Sequence, residues 1–265
     1  METDDCGYAQ SADFYDHIPM YSGRDDITFY SQLARACGGP VLELGSGTGR
    51  VLLDLAGKGI RVTGLDRSAR MLEICGEKLS SASEDVSSLV TLVRGDMRNF
   101  SLNRTYPLVI IPFRGFQHLL TAEDQLECLH CVRRHMTDSG TFVMDLFNPS
   151  MKYILDESRR REFGDELPFS LPDGSIVTRR MRNPAVDLAG QVISCEIIYY
   201  VEHPDGSGKR AVHEFDLRYI FRYEAEHLLE RSGFTVTDVY GDFRGGAFGT
   251  DWPGELILKA VPKLD

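Results

Sequence analysis

Val41-Leu42-Glu43-Leu44-Gly45-Ser46-Gly47-Thr48-Gly49-Arg50 reads as a short apolar strand, a turn carrying three glycines, and the start of a helix. Glycines in such a turn let a ligand approach the backbone closely, and the helix N-terminus that follows offers unpaired N–H groups. The same alternation repeats outward from this segment. Residues 26–37 have helical spacing, with Ile27, Tyr30, Leu33, Ala34 and Cys37 on one side, and Gly38-Gly39-Pro40 stops them. Residues 61–65 predict a second strand ending at Asp66, and Ser68 is the expected N-cap of a helix over 69–79. Residues 89–94 predict a third strand running into Gly95-Asp96, and residues 106–112 a fourth. Thr121 with Glu123 and Asp124 opens a helix over 122–136, and residues 140–146 predict a fifth strand. Five strands alternating with helices, most of them continuous apolar runs, imply an α/β fold with a parallel sheet covered on both faces.

The rhythm changes after residue 150. Apolar and polar residues alternate in 176–178, 192–201 and 212–221, with turns at Asp187–Gly190 and His203–Gly208. This predicts an inserted antiparallel meander of three strands. A helix over 223–232 and two strands, 234–240 and 255–261, follow and complete a mostly parallel sheet of seven strands. The expected division is 1–150 for an N-terminal lid and cofactor-binding core, 151–222 for a cap over the acceptor site, and 223–265 for the elements that finish the core sheet.

The glycine turn is followed by a carboxylate, Asp66, at the end of the next strand. A ribose diol needs an acceptor there, because both hydroxyls can donate to one carboxylate. Together these features describe a nucleoside crevice. A dinucleotide site has the spacing Gly-x-Gly-x-x-Gly; here the third glycine comes one residue early and Arg50 stands where it belongs. Glu43, two residues before the first glycine, adds negative charge that a pyrophosphate disfavours and that a sulfonium and an ammonium group tolerate. The chemistry favours S-adenosylmethionine over NAD.

Four segments, in order, resemble the motifs of the class I S-adenosylmethionine-dependent methyltransferases, in particular small-molecule enzymes similar to amino-sugar N-methyltransferases. They are Glu43–Gly49, Gly64–Leu72, Gly95–Arg98 and Pro112–Leu119. The resemblance implies a Rossmann-like fold and assigns roles by position. Gly45 and Gly47 would lie against the amino-acid part of the cofactor, with Ser46 near its carboxylate. Asp66 would hold the ribose, Asp96 would accept from the adenine amino group, and Met97 would cover the ring. Glu43, Arg67 and Phe113 belong to the same expected cofactor set. Tyr15 and Tyr21 resemble a lid over the cofactor, with Arg24 as partner for its carboxylate. His118, in Gln117-His118-Leu119 after the fourth strand, is the expected general base, and Tyr15 the second catalytic candidate. Arg114 and Asn148 are weaker candidates, and Tyr199, Tyr200 and Arg218 are candidates for the acceptor pocket.

Composition bounds the partners. The formal net charge is −11, which repels nucleic acid and anionic membranes as a whole. Two arginine clusters, Arg159–Arg161 and Arg179–Arg182, stand against that trend; they are solvated faces or, in a competing reading, a docking stripe for protein or RNA. No apolar run is long enough to span a bilayer, and the acidic start, Met-Glu-Thr-Asp-Asp-Cys, shows no secretory pattern. These features suggest a cytoplasmic protein with reduced cysteines. Cys128 and Cys131 flank His130, but a zinc site needs about four ligands and there is no second pair, so no metal is expected. The expected activity is methyl transfer to nitrogen or oxygen of a small acceptor. Two alternatives stand beside it: a protein or RNA methyltransferase, and a cofactor-binding protein without turnover. The meander's other use is homodimerisation.

Overall fold

The computed structural model describes residues 8, 11–164 and 166–263, with Ser22 described in its backbone alone; Cys6 lies outside the described residues. The core sheet contains β1 (Val41–Leu44), β2 (Val62–Asp66), β3 (Val90–Arg94), β4 (Tyr106–Ile111), β5 (Met136–Leu146), β11 (Phe234–Tyr240) and β12 (Leu256–Pro262). Its order is β11-β12-β5-β4-β1-β2-β3, parallel from β1 to β5, with β12 antiparallel to both β5 and β11. This is the expected seven-stranded α/β sheet. The strand order reverses at β1, whose neighbours are β2 on one side and β4 on the other, and ligands gather at the carboxyl ends of strands at such a switch point.

Period-two alternation sends neighbouring residues to opposite faces. Leu42, Leu44, Val109, Ile111, Phe142 and Met144 pack with Cys128, Leu129 and Val132 of α7 (Ala122–Arg134) and with Ala225 and Leu229 of α9 (Arg222–Arg231). Val41, Val62, Leu108, Ile110 and Val143 pack on the other face. There they meet Phe29, Tyr30 and Ala34 of α3 (Asp26–Cys37) and Val51, Leu52 and Leu55 of α4 (Arg50–Gly57). Ser68 accepts from Met71 N–H and so caps α5 (Ala69–Ser80), as its position suggested. Gly49 has φ +84°, and a Cβ there would stand 2.5 Å from Sγ of the buried Cys75, so both backbone and packing require glycine.

Some boundaries differ from the sequence reading. Helix α7 ends at Arg134 and β5 starts at Met136. His135 explains this. Its Nε2 accepts from Leu102 N–H at 2.9 Å, which leaves Nδ1 to donate to Cys131 O at 2.7 Å and close the helix. The cap is also larger than a three-stranded meander. It orders β10 (Gly208–Arg218), β9 (Val192–Glu202), β7 (Ile176–Arg182) and β6 (Phe169–Ser170), with β8 (Val186–Asp187) paired to β9. Strand β10 begins at Gly208 because polar Lys209 and Arg210 continue the ladder opposite Val201 and Tyr200. Polar residues on a solvated face carry no strand signature.

The N-terminal segment packs on this second sheet. It forms α1 (Ala12–Tyr15) and α2 (Pro19–Ser22), and Phe14, Ile18 and Tyr21 bury themselves against Val177, Ile197, Tyr199 and Ala211. Asp16 ties the segment to the glycine turn, accepting from Thr48 Oγ1 at 2.7 Å and pairing with Lys78 at 2.5 Å.

The arginine clusters do not form a free basic stripe. Arg179 is buried and bound to Glu166 and Tyr21, Arg180 donates to Gly164 O, and Arg182 makes two 2.8 Å bonds to Glu196. Arg159 is stacked between Tyr153 and Phe163, and Arg160 pairs with Glu157 at 3.4 Å. No helix among the described residues is long and apolar enough to cross a membrane.

Candidate active site

A cavity of about 360 Å³ opens at the carboxyl ends of β1, β2, β3 and β4 and extends beneath the cap. On the core side it is lined by Gly45, Gly47, Leu65, Asp66, Arg67, Met71, Asp96, Met97 and Arg98. Beyond β4 it meets Pro112, Phe113, Gly115, His118, Leu119 and Leu120. Tyr8 and Tyr15 enter from the N-terminal segment, and Glu214, Phe215 and Asp216 from β10. Nine of the expected site residues therefore share one cavity: Tyr15, Gly45, Gly47, Asp66, Arg67, Asp96, Met97, Phe113 and His118.

The glycine turn is held by backbone bonds. Gly45 and Ser46 both donate to Leu65 O, at 2.8 and 3.2 Å. The Asp66 carboxylate accepts from Gly47 N–H at 2.7 Å and from Ser68 N–H at 2.8 Å, so one side chain joins the turn to the start of α5. Gly47 has φ +54°, and a Cβ there would meet nothing within 4 Å; the turn leaves space above it for a ligand. Asp96 is engaged more heavily than the sequence suggested. Arg98 grips both its oxygens, Nη2 to Oδ2 at 2.6 Å, and also donates its backbone N–H. Burial alone would raise this carboxyl, but the Arg98 bonds outweigh it and hold Asp96 below its ordinary range. Arg98 also reaches Asp124 at 2.8 Å.

Four expected residues do not line the cavity. Ser46 is buried, with its Oγ against Gly64 of β2. Tyr21 lies beneath Tyr15 and Phe113, both at 4.9 Å between ring centroids, and its hydroxyl accepts from Arg179. Arg24 is drawn into a buried ionic cluster. It pairs with Asp26 at 3.2 Å and Glu255 at 3.5 Å, and stacks over Phe113 at 4.9 Å. Glu43 sits at the end of β1, 2% exposed, with Oε2 lacking a hydrogen-bond partner among the described residues. Burial pushes its carboxyl up to about 8, with Arg50 opposing and Asp66 and Asp26 reinforcing the shift.

The same cluster fixes the loop after β4. Phe113 and Arg114 both have positive φ, 55° and 67°. Asp145, fully buried at the end of β5, accepts from Phe113 N–H at 2.8 Å and from Tyr30 Oη at 2.6 Å. Such backbone strain persists where its surroundings over-determine it. Gln117, also fully buried, then orients the 3₁₀ turn Gly115–His118. Its amide donates to Phe147 O and Arg218 O, and its Oε1 accepts from Phe147 N–H. His118 consequently faces the cavity, with the Tyr8 hydroxyl 3.4 Å from Nε2 and the Phe215 ring at 5.4 Å. Burial lowers its pKa to about 4, so the imidazole is neutral at physiological pH.

As site residues, Asp145, Asp124, Tyr8, Glu214, Phe215 and Asp216 were not singled out from the sequence, and Gln117 entered only as part of the segment around His118. A polar residue at a strand end is visible there, but the element it holds is not. Cys128 and Cys131 are both buried on α7, and no group of metal-binding side chains occurs among the described residues.

Residues 41–140 match a sequence family described as a methyltransferase domain. These residues carry a methyltransferase domain, in a chain with the class I methyltransferase fold. Curated relatives of this chain extend the likeness to different lengths. The Bacillus subtilis (strain 168) protein YqeM is 29% identical over 140 residues, spanning 52% of this chain and little more than half, 55%, of that protein. The cypemycin N-terminal methyltransferase of Streptomyces sp is 29% identical over 208 residues, 78% of this chain and 77% of the relative. The dTDP-3-amino-3,6-dideoxy-alpha-D-glucopyranose N,N-dimethyltransferase of Streptomyces fradiae is 24% identical over 253 residues, 92% and 91% of the two chains. Among solved structures, the CcbJ methyltransferase from Streptomyces caelestis superposes with a TM-score of 0.77 at 24% identity, covering 98% of this chain and 99% of that one. The site fits S-adenosylmethionine, with open space over Gly47 and a carboxylate at the end of β2.

Proposed function

We propose that this chain is an S-adenosylmethionine-dependent methyltransferase that transfers the methyl group to an amine nitrogen of a small acceptor held between the core sheet and the cap. The observation that carries this reading is one continuous cavity joining the glycine turn and Asp66 to His118, β10 and the N-terminal tyrosines. Two relatives that span most of the chain are named for N-methylation, one of an amino sugar and one of an N-terminus, which supports nitrogen over oxygen.

The residue roles follow from position. Asp66 receives the ribose hydroxyls, and Met97 with Asp96 borders the adenine. Arg98 keeps Asp96 ionised as an acceptor and fixes its orientation. S-adenosylmethionine, when bound, supplies a methyl group on a good leaving group, so the protein's task is largely positioning. An amine reaches the cavity mostly as an ammonium and must lose a proton to become nucleophilic. Neutral His118 accepts that proton, and Tyr8 beside its Nε2 orients the ring. Phe113, Tyr15 and Phe215 wall the acceptor end with aromatic surface.

The reading is tested by offering methyl-labelled S-adenosylmethionine with a panel of matched small amines and alcohols. Label on nitrogen is the expected result; label confined to alcohols, to protein or to RNA overturns it.

Glu43 gives a second test, of stability against pH. The unfolded chain releases this proton near the ordinary value of 4.5, whereas the folded protein holds it to about 8. Unfolding in that window therefore releases a proton, and Glu43 makes stability fall as pH rises, with a slope of up to about 1.4 kcal/mol per pH unit. Urea unfolding at pH 5 and pH 7.5 should show Glu43→Gln losing less stability than wild type between the two. Parallel losses would mean that Glu43 is already ionised in the folded protein.

A further inference from the structure

The cavity is lined by three consecutive strand residues, Glu214, Phe215 and Asp216. Successive side chains of a strand point to opposite faces, so three in a row line a space when it runs along the strand's edge. Strand β10 is an edge of the cap sheet, paired on one side with β9. Which of its peptide groups point outward follows from the register, in which paired residue numbers sum to 410, as in Glu214 with Glu196. In antiparallel pairs, hydrogen-bonded and non-bonded positions alternate. Tyr219 N–H donates to Gln191 O, and His203 N–H to Ser207 O, both on this register. Odd-numbered residues of β10 therefore bond to β9, and even-numbered ones direct N–H and C=O away from it. One observation checks this independently: the carbonyl of Arg218, an even position, accepts from the Gln117 side chain. The next outward groups are those of Asp216 and Glu214. Both residues line the cavity, and no hydrogen bond to these outward groups occurs among the described residues.

We infer that the acceptor is a short peptide with a free α-amine, bound as an added antiparallel strand on the outer edge of β10. This rests on the amine reading above and names its substrate class. The spacing fits, since outward groups two residues apart repeat at about 6.8 Å, the repeat of an extended peptide. Charge fits as well. Glu214 and Asp216 have no ion-pair partner among the described residues and stand at the end nearest His118, where the terminal ammonium must lie. Lys209 and Arg210 are exposed at the far end, Arg210 lying 4.0 Å from Glu162, and there a carboxyl terminus is favoured. The peptide runs opposite to β10, with its amine at Asp216 and its tail toward Gly208. A single amino sugar has no such repeat of amide donors and acceptors.

The test uses labelled S-adenosylmethionine and an alanine–serine pentapeptide with a free N-terminus, against copies N-methylated on the backbone at residue 2, 3 or 4. Alternate residues of an added strand face the edge. Backbone methylation should therefore lower kcat/KM at least about fivefold at every second position and leave the positions between nearly unaffected. In the protein, Glu214→Pro removes an outward N–H, a change that edge strands accommodate. It should raise the peptide KM at least about fivefold, with S-adenosylmethionine affinity unchanged by calorimetry. Turnover of amino sugars with none of peptides overturns the inference, as does indifference to backbone methylation at all positions. Bound cofactor with no turnover of any amine overturns the amine reading itself, and this inference with it.

Discussion

His118→Ala lowers kcat by roughly 10²–10⁴, with cofactor affinity retained, if the imidazole takes the acceptor's proton. The geometry behind this figure is specific. His118 ends a 3₁₀ turn held by Gln117, faces the cavity, and is neutral because burial lowers its pKa to about 4. A neutral imidazole accepts a proton without first losing one. The wild-type rate should therefore show no imidazole limb near pH 6.5; any acid limb from His118 lies near pH 4. A rise in KM with kcat unchanged in the alanine variant would reduce His118 to a binding residue. The lowered pKa also affects stability. The unfolded chain takes up this proton below about 6.5 and the folded chain below about 4, so His118 makes stability fall as pH drops between those values. That sign is opposite to the Glu43 effect, and each substitution isolates one slope.

Asp66→Ala weakens S-adenosylmethionine binding by about 1.5–3 kcal/mol, roughly ten- to 150-fold in Kd, the range for a lost charge-assisted hydrogen bond. The same carboxylate accepts from Gly47 N–H at 2.7 Å and Ser68 N–H at 2.8 Å, so the variant also loosens the turn and the start of α5. Calorimetric titration reads the affinity, and a thermal melt of the cofactor-free protein reads the second effect. Asp66→Asn separates the two, because its carbonyl can still accept one of the two N–H bonds while its NH₂ cannot accept from a ribose hydroxyl. Unchanged affinity in both variants would remove Asp66 from the cofactor site.

Local signals carried the fold. The apolar runs of β1 and β4, the Ser68 and Thr121 caps, and the glycine turn each act over a few residues, and the structure contains them. They also carried the core side of the cavity, where Gly45, Gly47, Asp66 and Asp96 follow strand ends in order. Position in the sequence assigns Arg24, Tyr21, Glu43 and Ser46 to the cofactor, yet none of them lines the cavity. Arg24 stays with Asp26 and Glu255 because a buried guanidinium needs carboxylates around it, and Glu255 is 231 residues away. Tyr21 joins the apolar face of the cap for a similar reason: its partner Arg179 lies on β7.

By itself the amino-acid sequence determined the order of strands and helices and the chemistry of the crevice, because periodicity, capping and glycine spacing are short-range properties. It also pointed to a class of cofactor, since an acid before the turn and another after the next strand suit a cation and a ribose. Tertiary structure decided which side chains share the cavity. It brought Tyr8, His118 and β10 together across about a hundred residues of chain and held Arg179 and Arg182 of the cap in ion pairs. The physical reason is that burial, charge pairing and the outward direction of a peptide group depend on what packs alongside, and those neighbours are distant in sequence.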